Sequence, residues 1–272
     1  MSLEVFLILF GVGTAAGMLS GMFGVGGGII IVPSLIAVYS LIGFNSPYVV
    51  HVAIATSLFT IIFTSTSSSY KHSTHGNVLW VAALLIGVSS AVTVFLFSKL
   101  ALILPGDVLK KIFAVVLIMV SVKMLVEKKP AEEADERNCE QGSIKKPYCV
   151  LTGVLAGTVA AFTGLGGGIF VIPMLHYVLK VPIRKSIGTS AAAIFITSLS
   201  GVISYIINSP AGADTMKYSI GIVDALSAAP IVMASIPFAQ VGVYVNKKTR
   251  SHLLKKLFAG LILIVALKML FF

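Results

Sequence analysis

The sequence predicts an all-α, polytopic membrane protein made of two inverted repeats. Each repeat holds a glycine-broken helical hairpin and three long transmembrane helices, giving about eight long spans plus two short segments. Composition, the length of the charge-free runs and an internal repetition predict it. Of 272 residues, 57% are hydrophobic and 11% charged, and the mean hydropathy is +1.01. A soluble domain carries about 25% charged residues, so this composition excludes a soluble enzyme, a disordered chain and a nucleic-acid-binding module. The excess of 20 Lys and Arg over 10 Asp and Glu is then read as loop charge that sets orientation.

The runs come next. Between Glu4 and Lys71 lie 66 residues with no charge, about 99 Å of helix against a hydrocarbon core of about 30 Å. The chain must turn within or near the bilayer. Further charge-free runs cover 72–98, 147–179, 186–213 and 225–246. Their uniform apolarity lacks the alternation of a β-barrel, and helices satisfy every backbone group internally. The first residues carry no Lys or Arg before an apolar stretch that does not stop, unlike a cleaved signal.

The halves match each other. Gly24-Val-Gly26-Gly27-Gly28 followed by Pro33 lies over Gly164-Leu-Gly166-Gly167-Gly168 followed by Pro173, at an offset of 140. Ala55-Thr56-Ser57 lies over Gly188-Thr189-Ser190 at 133, and Lys110-Lys111-Ile-Phe-Ala over Lys255-Lys256-Leu-Phe-Ala at 145. The repeats are therefore 1–126 and 148–272, joined by a charged linker at 127–147. Predicted helices run over 3–22, a short 29–42, 48–70, 78–98 and 108–126. Their counterparts are 148–163, a short 169–180, 186–208, 219–245 and 252–271. If the chain continued in one direction through the glycine break, Lys and Arg would divide 11 to 9 between the two sides. If it reverses there, they divide 15 to 5, a strong positive-inside signal. Reversal puts both termini outside a cell (plasma or inner) membrane and the linker in the cytoplasm. Each repeat then has an odd number of net crossings, whether the hairpin spans fully or is re-entrant. Inverted repeats with broken helices are a transporter architecture.

The breaks are the candidate substrate site. Each glycine costs about 1 kcal/mol against alanine inside a helix but admits positive φ and close approach to backbone. It also leaves amide N–H groups free at the start of the next helix, where the macrodipole is positive, an arrangement that binds anions. Gly24, Gly26, Gly27 and Gly28, with Gly164, Gly166, Gly167 and Gly168, are the predicted backbone donors. Pro33 and Pro173 are predicted structural hinges in the segments that follow. Close helix packing through small residues is the competing explanation. The helices at 48–70 and 186–208 are rich in hydroxyls, most of which are read as interhelical bonds. Thr56, Ser57, Thr189 and Ser190 recur at matched positions and are expected to donate to the anion. Apart from Glu4 at the edge of the first, Asp224 is the only acidic residue inside a predicted span; coupling and an interfacial role at a helix start are both open for it. Gln240 is a weaker pore candidate. His72 and His75 read as interfacial, and the histidines lack metal-ligand spacing. No cofactor, metal or catalytic residue is expected. Cys139 and Cys149 are too few for a disulfide framework.

At these residues the chain resembles the sulfite exporter TauE/SafE family, also called the 4-toluene sulfonate uptake permease family. The resemblance rests on both glycine-proline blocks, the Thr-Ser pairs and the ending from Leu254 to Leu270, with Thr163 where the first repeat has Phe23. It implies a permease, not an enzyme, for small sulfur-containing anions such as sulfite, sulfoacetate or related sulfonates. The expected partners are the lipid bilayer and the anion, with no nucleic acid; a homo-oligomer is compatible with the sequence. Export suits the scarcity of buried carboxylates, since an inside-negative potential assists an outgoing anion by about 2.3 kcal/mol per charge per 100 mV. The alternatives are an uptake permease for an organosulfonate or another small anion, and an intramembrane enzyme, for which no GxSG or HExxH motif is present.

Overall fold

The computed structural model describes residues 2–44, 46–126, 146–210, 218–249 and 260. The first half forms α1 (Leu3–Phe23), α2 (Gly28–Leu41), α3 (Val49–Ser73), α4 (Trp80–Ile103) and α5 (Gly106–Val126). The second forms α6 (Lys146–Thr163), α7 (Gly168–Pro173, continued by a π-helical turn over Met174–Val178), α8 (Ile183–Ile207) and α9 (Ala225–Lys248). Among the described residues, α1, α3, α4, α8 and α9 are long and apolar enough to cross a membrane. The expected helix at 252–271 lies outside the described residues apart from Gly260, as do Cys139 and most of the linker.

One expected boundary is corrected. The helix predicted from 219 begins at Ala225, because β1 (Ser219–Ile220) pairs antiparallel with β2 (Val223–Asp224) around Gly221 at φ +58°. An apolar membrane segment has no hydrophobic period with which to mark such a turn.

Helices associate through small residues, as they must where lipid is as apolar as the side chains. Gly13, Gly17 and Gly21 of α1 lie so close to Ile231, Ser235 and Ala239 of α9 that an added β-carbon would strike their backbone. Gly153 and Gly157 of α6 lie in the same way on Ile86 and Ser90 of α4. Both pairs run parallel. Each half's first helix thus packs on the third long helix of the other half. The outward face of α4, with Leu84, Val88, Val92 and Leu96 exposed, is left for lipid.

Hydroxyls fasten the centre. Thr64 of α3 donates to Ser235 of α9 at 2.9 Å and Ser67 to the Ile236 carbonyl at 2.8 Å. Thr197 of α8 bonds Ser90 of α4, and Ser200 donates to the Ala91 carbonyl at 2.7 Å. By the sequence offsets, the second pair of bonds is the counterpart of the first. These contacts make α3 parallel to α9 and α4 parallel to α8. In contrast, α3 and α8 are antiparallel, with Gly188 beside His72 and Gly201 beside Leu58.

Candidate functional site

Both breaks adopt one backbone conformation. Gly24, Gly26 and Gly27 have φ of +63°, +76° and +86°; Gly164, Gly166 and Gly167 have +68°, +68° and +81°. Only glycine adopts this left-handed region freely, so six of the eight glycines are fixed by dihedral angle. Gly28 and Gly168 are fixed by contact. A β-carbon on Gly28 would sit 2.8 Å from the Gly164 carbonyl oxygen, and one on Gly168 2.9 Å from that of Gly24. The two breaks therefore touch, and residues 20–29 and 163–169 are buried throughout.

Each break opens a helix. Gly27 and Gly167 are the N-caps of α2 and α7, neither with a side-chain cap. The first bonded amides are those of Ile30 and Phe170, which return to the Gly27 and Gly167 carbonyls. The amides of residues 25–29 and 165–169 have no partner among the described residues. Two helix N-termini, each worth about half a positive charge, thus meet inside the molecule. Among the described residues no Lys or Arg is buried there or elsewhere.

The four predicted hydroxyls are at this junction, and each bonds backbone of the opposite half. Ser57 donates to the Gly164 carbonyl at 2.9 Å, and Ser190 to the Gly24 carbonyl at 2.9 Å. Thr56 accepts from the Asp224 amide at 2.9 Å, and Thr189 from the Leu79 amide at 3.0 Å. Asp224 and Leu79 are matched N-caps, of α9 and α4. In this arrangement the hydroxyls hold the breaks and the helix starts in place.

Pro33 lies inside α2, and Pro173 ends the α-helical part of α7, where the backbone widens into the π turn. Asp224 is fully buried, at the start of α9. One carboxylate oxygen caps the Leu226 and Ser227 amides at 3.1 and 3.2 Å, and the other accepts from the Tyr39 hydroxyl at 3.2 Å. Gln240 is exposed on α9. His72 is also buried, while His75 is exposed.

Sequence reading missed a further pair. His72 Nε2 donates to the Gly21 carbonyl at 3.0 Å, and the Tyr205 hydroxyl to the Ala161 carbonyl at 2.6 Å. They occupy counterpart positions, and each tethers the last turn before a break. Unlike side chains at the two positions conceal the correspondence.

Apolar helices able to cross a membrane, interrupted at a buried backbone junction, define a polytopic membrane protein of the transporter class. The chain belongs to the sulfite exporter TauE/SafE family, whose model matches residues 9–269. It is similar to a probable membrane transporter protein of Haemophilus influenzae, 28% identical and covering 95% of each chain. A probable membrane transporter protein of Methanocaldococcus jannaschii is 29% identical over 97% of this chain and 94% of its own. One from Bacillus subtilis is 30% identical over 70% of this chain and 74% of its own. No solved structure matches the chain.

Proposed function

We infer that this transporter carries a small sulfur-containing anion, sulfite being the first candidate, outward across a cell membrane. The observation that carries the reading is the meeting of two helix N-termini with unpaired amides at buried glycine backbone. Two positive ends held together favour a negative charge between them. Fixed dipoles hold an anion less tightly than a buried lysine would, which suits release. Because the breaks touch in this arrangement, the anion reaches the amides when they part, and the Ser57 and Ser190 hydroxyls then turn from the glycine carbonyls to the anion.

The same reading makes 1–126 and 148–272 inverted repeats with eight long spans, both termini outside and the linker in the cytoplasm. Its support is the antiparallel course of α3 and α8 and the matched bonds at the junction, both of which a reversal at each break requires. Among the described residues, Lys71, Lys123, Lys146, Lys180, Arg184, Lys185, Lys247 and Lys248 lie at the linker end, against Lys99, Lys110 and Lys111 at the other. The test is flux from proteoliposomes loaded in turn with sulfite, sulfoacetate, sulfate and a taurine-like sulfonate under an imposed potential. Sulfite efflux that rises with internal negative potential is expected. Absence of flux for the whole panel would overturn the reading.

A further inference from the structure

A cavity of about 290 Å³ opens where the α3–α4 turn meets the start of α8 and the end of α9. Small-molecule sites begin at about 300 Å³, so the space suits a small solute. It lies at the end of the bundle where α6 begins. Arg184, Lys185, Lys247 and His75 line it, and among the described residues no Asp or Glu does. Arg184 is braced by a bond from Nη2 to the Lys247 carbonyl at 3.2 Å.

The polar floor is built from buried groups. His72 and Asn246 line the cavity and are 0% and 2% exposed. His72 Nε2 is committed to the Gly21 carbonyl, and Asn246 Nδ2 donates to the Met22 carbonyl at 2.5 Å. Nδ1 of His72 has no partner among the described residues. A carbonyl can only accept, so the neutral ring carries its proton on Nε2 and leaves Nδ1 as an acceptor. The carbonyls that fix this floor lie two and three residues before Gly24, so the cavity stands one helical turn from the first break.

We propose that this cavity is an anion-loading vestibule, in which Arg184, Lys185 and Lys247 gather small oxyanions over His72 for delivery to the first glycine break; the delivery, though not the binding, rests on the transport reading. A recess lined by one sign of charge concentrates the opposite ion by about 10- to 1,000-fold. The cations sit at the mouth and not in the buried junction, so an anion bound there is held weakly and exchanges.

The test is modification of Asn77→Cys in full-length protein whose two cysteines are replaced by serine. The paired probes are methanethiosulfonates bearing a sulfonate or a trimethylammonium group. The sulfonate reagent is expected to react at least about tenfold faster relative to its cationic partner than with a free thiol. The preference should collapse in the R184Q/K247Q variant and in 1 M salt, where the screening length is about 3 Å, and persist in R184K. Millimolar sulfate, which unlike sulfite does not cleave a thiosulfonate, should slow the labelling of Asn77→Cys in the chain that keeps Arg184 and Lys247 and not that of R184Q/K247Q. A reagent preference absent from the start, or indifferent to R184Q/K247Q, overturns the vestibule. So does a preference without protection by sulfate or sulfoacetate, which is surface potential alone. Protection by sulfate with no sulfite flux from proteoliposomes upholds the vestibule and counts against transport of sulfite only.

Discussion

Tyr205 and His72 hold counterpart carbonyls, of Ala161 and Gly21, at the last turn before each glycine break. The two side chains share only a donor at the right reach. Tyr205→Phe removes that donor and leaves a buried carbonyl unpaired, at a cost of about 1–3 kcal/mol. Thermal unfolding in detergent should show the loss. A midpoint unchanged from the parent protein would mean that the tether does not stabilise the break.

Ser57→Ala and Ser190→Ala should each destabilise the junction by about 1 kcal/mol. Their targets, the Gly164 and Gly24 carbonyls, lie on breaks that touch, so the double variant should be non-additive. Unfolding of the two single variants and the double variant measures the coupling. Strict additivity would show that the two bonds act independently.

Glycines of like dihedral angle separate strain from contact. Gly43 has φ +72° with nothing within 4 Å of an added β-carbon, whereas at Gly167, φ +81°, that atom would lie 2.6 Å from the Ala156 carbonyl oxygen. Gly43→Ala should cost only the conformational term, about 1–2 kcal/mol. Gly167→Ala should cost clearly more or prevent folding. Equal unfolding midpoints for the two variants would contradict the close fit at the break.

Asp224 caps α9 and accepts from Tyr39. Asparagine caps a helix as well as aspartate, while alanine costs about 0.5–2 kcal/mol. Asp224→Asn should therefore fold and keep reduced but measurable electrogenic anion flux, whereas Asp224→Ala should lose stability. Complete loss of flux in folded Asp224→Asn would make the carboxylate an obligatory coupling group.

Orientation is open to single-cysteine labelling in a cysteine-free chain. A cysteine at position 137, in the linker, should react with an impermeant reagent only after cells are permeabilised. One at position 99 should react on intact cells. The reverse pattern would invert the proposed topology.

How far the sequence reaches depends on what kind of fact is asked for. Apart from the start of α9, the bounds of the described helices fall within about five residues of those expected, because charge and glycine interrupt an otherwise uniform apolar chain. The breaks at 24–28 and 164–168 are legible for the same reason. The turn at Gly221 is not, since Ile222 and Val223 look alike in a strand or a membrane helix. Neither is the work of Thr56 and Ser57. Their recurrence marks them, but whether a hydroxyl meets an anion or a backbone group depends on a partner more than 100 residues away. The His72 and Tyr205 correspondence escapes any comparison by residue identity. The site of Asp224 follows from the hairpin before α9, which hydropathy cannot register.

The placement of α1 against α9 bears on how the chain is assembled as it is made. The glycine face of α1 is synthesised first, yet the surface it fits, from Ile231 to Ala239, leaves the ribosome more than 200 residues later. Until then that face has no mate, and the first helix must wait in lipid or beside an insertion factor with its backbone stripe uncovered. Cutting the chain in the linker yields two fragments, each with a face awaiting the other. Coexpressed halves should recover a folded protein that neither half forms alone.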